Sequence, residues 1–264
     1  MRPSCRGFSL VELSIVLVIL GLITGGVLAG QSLIRAAEIR SVTSDLERYQ
    51  TATRTFLDRY KAFPGDFAAA TDVWGAVDPT PATCNATASD GKATCNGNDD
   101  GIIACAGGVC NEVFHVWIQL ANAGLIEGKF NGITGSGGTF HNVLAVNAPK
   151  SRISSAGFSF WGSSIEGVGG ADANWFPTHI GNIIMFGMAT NNGITAGSAL
   201  TPAEAWNIDT KFDDAKPGLG KVLTWKKGSA TNPDCTTDTD PQVAEYDLAR
   251  SDKQCSIHAY VTTQ

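Results

Sequence analysis

A single carboxylate stands inside an apolar run near the N-terminus. The run is Phe8-Ser-Leu-Val-Glu12-Leu-Ser-Ile-Val-Leu-Val-Ile-Leu-Gly-Leu-Ile-Thr-Gly-Gly-Val-Leu-Ala29, and Glu12 is its only formal charge. A helix needs about 20 such residues to cross a bilayer, so the run is long enough. A carboxylate in a membrane helix costs about 2.5–3.5 kcal/mol on insertion scales. The sequence therefore demands a cationic partner at the same depth, and a neighbouring copy of the chain is the nearest source.

Other residues could hold a cation. Asn96-Gly-Asn98-Asp-Asp100-Gly101-Ile-Ile103 follows the first half of an EF-hand loop, with oxygen ligands at alternate positions, glycine at the sixth and Ile at the eighth. Asn96, Asn98 and Asp100 are thus candidate calcium ligands. The twelfth position is Gly107, where a bidentate Glu is expected, so Asp90 or Glu112 would have to substitute in space. The competing reading is an Asn/Asp/Gly turn between two disulfides. Asp209, Asp213 and Asp214 form a further acidic cluster, read as a solvated helix end. Calcium aside, the sequence implies no cofactor. For catalysis it offers little. His115, His141, His179 and His258 lack metal spacing, no serine sits in a nucleophile elbow, and no phosphate loop is present. Trp117, Trp206 and Trp225 fall in expected elements and read as core. Trp161 and Trp175, beside Gly-rich loops, are candidate carbohydrate contacts.

The segment before the run, Met1-Arg-Pro-Ser-Cys-Arg-Gly7, carries Arg2 and Arg6, which keep this end in the cytoplasm by the positive-inside rule. A secretory signal peptide cut after Val27-Leu-Ala29 is one alternative, although an acid fits its apolar region poorly. A plain membrane anchor is another. Lipoprotein processing is disfavoured, because no Cys follows Leu28-Ala-Gly.

Arg6-Gly-Phe-Ser-Leu-Val-Glu12-Leu resembles the N-terminal signature of type IV pilins and type II secretion pseudopilins. The resemblance implies that a prepilin peptidase cuts after Gly7 and methylates the new N-terminus, Phe8. It also implies that Glu12 is the assembly residue. Physical chemistry agrees: cleavage leaves a cationic amine on Phe8, and Glu12 of one subunit can meet that amine on another. Because an unpaired buried charge is strongly unfavourable, the pair would fix the axial register between neighbours.

Beyond Ala29 the pattern changes. Leu33, Ile34, Ala37, Val42, Leu46, Tyr49, Phe56, Leu57 and Tyr60 recur at three- and four-residue intervals among charged residues, the mark of an amphipathic helix. Gly25, Gly26 and Gly30 are tolerated in membrane helices, and Phe63-Pro-Gly65 is the stop. The expectation is one helix from Phe8 to Ala62. The chain divides into a leader (1–7), a transmembrane helix (8–30), an amphipathic half (31–62) and a globular α+β domain (63–264).

Loss of the two leader arginines moves the net charge from −6 to −8, which disfavours nucleic acid as a ligand. Of seven cysteines, Cys5 lies in the leader. The other six lie beyond the membrane, where disulfides form. Six cysteines allow about fifteen connectivities. Pairing of sequence neighbours, Cys84–Cys95, Cys105–Cys110 and Cys235–Cys255, closes short loops that lack a core. Zinc is disfavoured, because the first four lack Cys-x-x-Cys spacing.

In the globular part, Asp66 is expected to cap a short helix through Val73, a second helix to span Asn111 to Ala123, and Thr201-Pro-Ala-Glu204 to form a capping box. Expected strands are Asn142–Asn147, Gly157–Trp161, Asn182–Met188, Lys221–Trp225 and Ser256–Val261, in antiparallel arrangement. Tyr60-Lys-Ala-Phe-Pro-Gly-Asp66, Trp117-Ile-Gln-Leu-Ala-Asn-Ala-Gly-Leu-Ile126 and Ile208-Asp-Thr-Lys-Phe-Asp-Asp214 are similar to segments of large pilin-like proteins. The fold so implied is α+β: a long N-terminal helix on an antiparallel sheet with disulfide-closed loops.

These features together point to a non-enzymatic structural subunit, a pilin, minor pilin or pseudopilin, of a type IV pilus or type II secretion pseudopilus. Its expected partners are other pilin subunits, prepilin peptidase, the inner-membrane assembly platform and the membrane. It would wait in the inner membrane before entering a periplasmic or extracellular filament. The alternative is a membrane-anchored surface binding module, either an adhesin or a calcium-dependent recognition domain. A third reading, a secreted hydrolase, requires a mature start near Gly30.

Overall fold

The computed structural model describes residues 9–84, 86–104, 112–163, 174–178, 181–190 and 193–261. The chain forms two compact units, Met1–Arg40 and Ser41–Gln264. Helix α1 (Leu10–Tyr60) runs through both.

In the first unit the apolar side chains point outward. Leu10 is 83% exposed, and Leu13, Ile15, Leu17, Leu20, Ile23 and Leu28 are all exposed as well. The few hydroxyls are turned back onto the helix. Thr24 Oγ1 donates to the Leu20 carbonyl at 2.8 Å, and Ser14 Oγ donates to the Val11 carbonyl at 2.9 Å. Such bonds supply a hydroxyl with a partner in an apolar medium. By length and composition the helix can cross a membrane.

In the second unit α1 carries a single stripe. Val42, Leu46, Tyr49 and Phe56 are buried, while Glu47, Arg48, Thr51 and Arg54 between them are exposed. The helix stops at Tyr60, where Lys61 turns to φ 59° and Pro64 follows. Gly65 then passes α4 (Glu112–Asn122) so closely that a Cβ would sit 2.4 Å from the Glu112 carbonyl oxygen. Its own N–H donates to Gln119 Oε1 at 2.6 Å.

The stripe packs on a four-stranded sheet of β1 (Ala156–Ser163), β2 (Gly181–Met188), β3 (Val222–Leu223) and β4 (Ile257–Tyr260). The strand order is β1-β2-β4-β3, and every pairing is antiparallel. The register sets Phe158 opposite Phe186 and Met185 opposite His258. The Tyr49 ring meets Phe158 and Trp117 edge-on, each at 5.1 Å. Gln50 Nε2 and Arg54 Nε donate to the Tyr260 and Val261 carbonyls at 2.7 and 3.0 Å, so α1 also satisfies backbone acceptors at the end of β4. This is the pilin-like α+β arrangement: a long, initially apolar helix on an antiparallel sheet, with two disulfides among the described residues.

Several local expectations differ from the structure. The 142–147 segment is a turn: Asn147 Oδ1 accepts from the Val143 N–H at 2.7 Å, and Ala145 adopts φ 65°. An Asn side chain here takes the donor that a strand partner would have used. Helix α2 (Ala70–Trp74) begins at Ala69 without a side-chain cap, because Asp66 is engaged elsewhere. The short α3 (Pro81–Cys84) was not expected. Helix α5 (Pro202–Phe212) does open on the capping box, with Glu204 N–H donating to Thr201 Oγ1 at 3.2 Å and Thr201 N–H to Glu204 Oε2 at 2.9 Å. Trp117 and Trp225 are core, but Trp206 is 41% exposed on the outer face of α5. Cys84–Cys95 and Cys235–Cys255 are bonded, with Cα separations of 5.9 and 5.0 Å. Cys105 and Cys110 lie outside the described residues.

Candidate functional site

Glu12 sits in the first turn of α1, where partial positive charge from free backbone N–H groups favours a carboxylate. Its Oε2 accepts the Ser9 N–H at 2.8 Å, while the Ser9 carbonyl receives the Leu13 N–H at 3.2 Å. Ser9-Leu-Val-Glu12 thus supplies the return half of a capping box. Reading the run only as a membrane span overlooks that signal, although Ser-x-x-Glu before apolar residues is visible in the sequence. Glu12 and its helical neighbours are exposed, so the carboxylate is anchored at the helix start and open to a second molecule. Gly7 and Phe8 lie outside the described residues.

The 96–101 loop is organised by two carboxylates from outside it. Asp66 Oδ1 and Oδ2 accept the Asp100 and Gly101 N–H groups at 3.2 and 2.8 Å. Glu112 Oε1 and Oε2 accept those of Asn98 and Ala104 at 3.3 and 2.9 Å. The three candidate ligands are engaged in the same lattice of turns. Asn96 Oδ1 accepts from Thr71 N–H at 2.8 Å, Asn98 Nδ2 donates to Asp100 Oδ2 at 2.9 Å, and Asp100 Oδ1 accepts from Ile102 N–H at 2.9 Å. Glu112 does reach the loop, but it spends both oxygens on backbone N–H groups. Burial pushes the Glu112 carboxyl up to about 7 against the lowering effect of those bonds, and the nearby Asp66 charge adds to the rise. Burial likewise raises Asp66, which the Gly101 and Asp100 N–H groups oppose. His115, fully buried on α4, is lowered to about 4 by burial.

Of the two tryptophans expected at the surface, Trp161 is half-buried and Trp175 is buried. With Phe140, Ile194 and Trp225 they line a pocket of about 260 Å³ whose polar rim includes Asn174, Thr190 and Thr231. The Trp175 and Trp225 ring centroids are 4.3 Å apart. Sequence spacing gave no sign of this grouping, because Trp161 on β1, Trp175 in the 174–178 segment and Trp225 just after β3 are far apart in the chain.

No curated protein and no solved structure matches the chain. Residues 2–28 match the family model described as the prokaryotic N-terminal methylation motif. With Glu12 open at the start of a long apolar helix, the chain therefore carries the N-terminal signature typical of type IV pilins and pseudopilins.

Proposed function

We propose that this protein is a structural subunit of a type IV pilus or type II secretion pseudopilus. Prepilin peptidase cuts after Gly7 and methylates Phe8. The apolar half of α1 holds the subunit in the inner membrane until the assembly platform extracts it into a filament with other pilin subunits. Glu12 then meets the Phe8 amine of a neighbour and sets the axial register. The observation that carries this reading is the joining of a methylation motif to a helix whose first half exposes apolar side chains and one carboxylate. The domain boundaries that follow are 1–7, 8–30, 31–62 and 63–264. N-terminal sequencing and mass analysis of the chain made with prepilin peptidase should give a start at Phe8 and one added methyl group. A mature start near Gly30 would overturn the proposal, since Glu12 would leave with the leader.

One observation favours a second reading, a binding module on the same anchor. The Trp161–Trp175–Trp225 pocket combines stacking surfaces with a polar rim, as saccharide sites do. Trp161→Ala should then abolish binding on a glycan array without changing filament yield.

A further inference from the structure

Helix α5 ends in three carboxylates. Asp209, Asp213 and Asp214 bring ligand oxygens within 4.8 Å of one another. The sequence reading of a solvated helix end holds for exposed Asp214 but not for Asp209, which is buried. The place is adverse to negative charge in a further respect, since helix carbonyls end here and their partial negative charge repels carboxylates. Among the described residues no Lys or Arg forms an ion pair with any of the three, and Lys216, nearby in the chain, pairs instead with Glu245.

The oxygen accounting is incomplete. Asp209 Oδ2 accepts the Tyr246 hydroxyl at 2.9 Å, Asp214 Oδ1 accepts the Lys216 N–H at 2.9 Å, and Asp213 Oδ2 accepts the Lys221 N–H. Asp209 Oδ1 and Asp213 Oδ1 remain buried without a hydrogen-bond partner. Buried acceptors without donors are rare in folded proteins. Gly220, at φ 76°, brings the loop backbone against the same group, and a Cβ there would clash with Asp213 Oδ2. The backbone is thus shaped around the carboxylates but, among the described residues, brings no donor of its own to these two oxygens.

We propose that Asp209, Asp213 and Asp214 hold a calcium ion. An all-carboxylate donor set selects a hard cation over zinc or copper. The cluster runs from buried Asp209 through half-buried Asp213 to exposed Asp214, so its three carboxylates differ in their access to water. That suits the flexible coordination of calcium better than the strict octahedron of magnesium, and water can complete the shell on the Asp214 side. The ion would tie the end of α5 to the 213–221 loop and, through Tyr246, to the segment closed by Cys235–Cys255. The rival account is a proton shared by Asp209 and Asp213. Burial, with the hydrogen bond and charge of Asp213 adding to it, pushes the Asp209 carboxyl up to about 9.

The two accounts separate in a calcium titration of the full chain in detergent micelles, first stripped with EGTA. Calorimetry should show one calcium per chain with a Kd of about 10⁻⁴–10⁻³ M, the range of extracellular modules. Saturation should raise the melting temperature by several degrees, roughly as mass action requires. Asp209→Asn and Asp213→Asn each keep a carbonyl oxygen for the existing donor, and each should weaken uptake at least about tenfold, as loss of a charged ligand does. Asp214→Asn, at the exposed end, tests the same prediction without disturbing the buried part. Absence of saturable uptake by the native chain, or uptake unchanged in all three variants, overturns the proposal. So does uptake lost in Asp100→Asn but kept in Asp213→Asn, which would place the ion in the 96–101 loop. None of these results depends on whether Gly7 is cut.

Discussion

The two parts of α1 obey different rules within one helix. In residues 10–34 large apolar side chains face outward on every side, and the Ser14, Thr24 and Ser32 hydroxyls are closed off by local bonds. In residues 41–60 only one stripe is apolar, and it is buried against the sheet and α4. The difference shows where each part finds its free energy. The second part gains by folding within its own unit, because Leu46 and Phe56 lose all contact with water. The first part gains nothing of that kind, and its apolar surface has value only against lipid or other chains.

The largest expected effect tests the first part. If Glu12 meets a neighbour's amine, Glu12→Ala leaves that ammonium unpaired at a cost of about 3–5 kcal/mol. Subunit addition should then weaken by about a hundredfold or more, seen as lost filaments in sheared fractions. Membrane insertion and unfolding of the second unit should not change. Normal filament yield would remove Glu12 from the register role.

The second part is tested by cavity formation. Phe56→Ala should lower unfolding free energy by about 3–5 kcal/mol in urea titration of the full chain. Leu20→Ala, at an exposed position of the first part, should stay within about 0.5 kcal/mol. Equal costs would erase the distinction between the halves. A further contrast lies in cross-links. Replacing Cys235 and Cys255 together by Ser removes a bridge across 20 residues, and should cost about 2–4 kcal/mol. Filament register, set in the first part, should persist in whatever fraction remains folded.

What the sequence made legible follows from the range of the interactions. The α1 stripe, the capping box of α5 and the Cys84–Cys95 and Cys235–Cys255 pairs rest on residues close in the chain, so spacing revealed them. The roles of Asp66 and Glu112 as acceptors for backbone N–H groups were hidden, because each carboxylate serves a loop 34 to 35 or 8 to 14 residues away, and side-chain type alone does not choose among the donors. The 142–147 segment has strand-like composition, yet Asn147 closes it locally before any partner strand can. Asp209 has the polarity of a surface residue, yet it is buried and takes the Tyr246 hydroxyl, 37 residues away in the chain.

The smallest effect concerns two glutamates that serve helix starts in the two units. Glu12 caps α1 while exposed, whereas Glu112 opens α4 while buried and accepts two loop N–H groups. Burial raises the Glu112 carboxyl from about 4.5 to about 7 in the folded chain. The folded state therefore binds this proton more tightly than the unfolded state between those values. The contribution of Glu112 to stability is full below about pH 4.5 and is lost as pH rises through about 7. His115, lowered to about 4, acts with the opposite sign, and its contribution is lost as pH falls through that value. Glu112→Gln keeps an acceptor for one loop N–H and removes the titration. Urea unfolding of both proteins from pH 4 to 8 should give a difference in stability that shifts in favour of the variant as pH rises to about 7 and then levels off. A difference that is flat with pH would mean that burial does not hold the Glu112 proton in the folded chain, and the contrast between the two helix starts would fail.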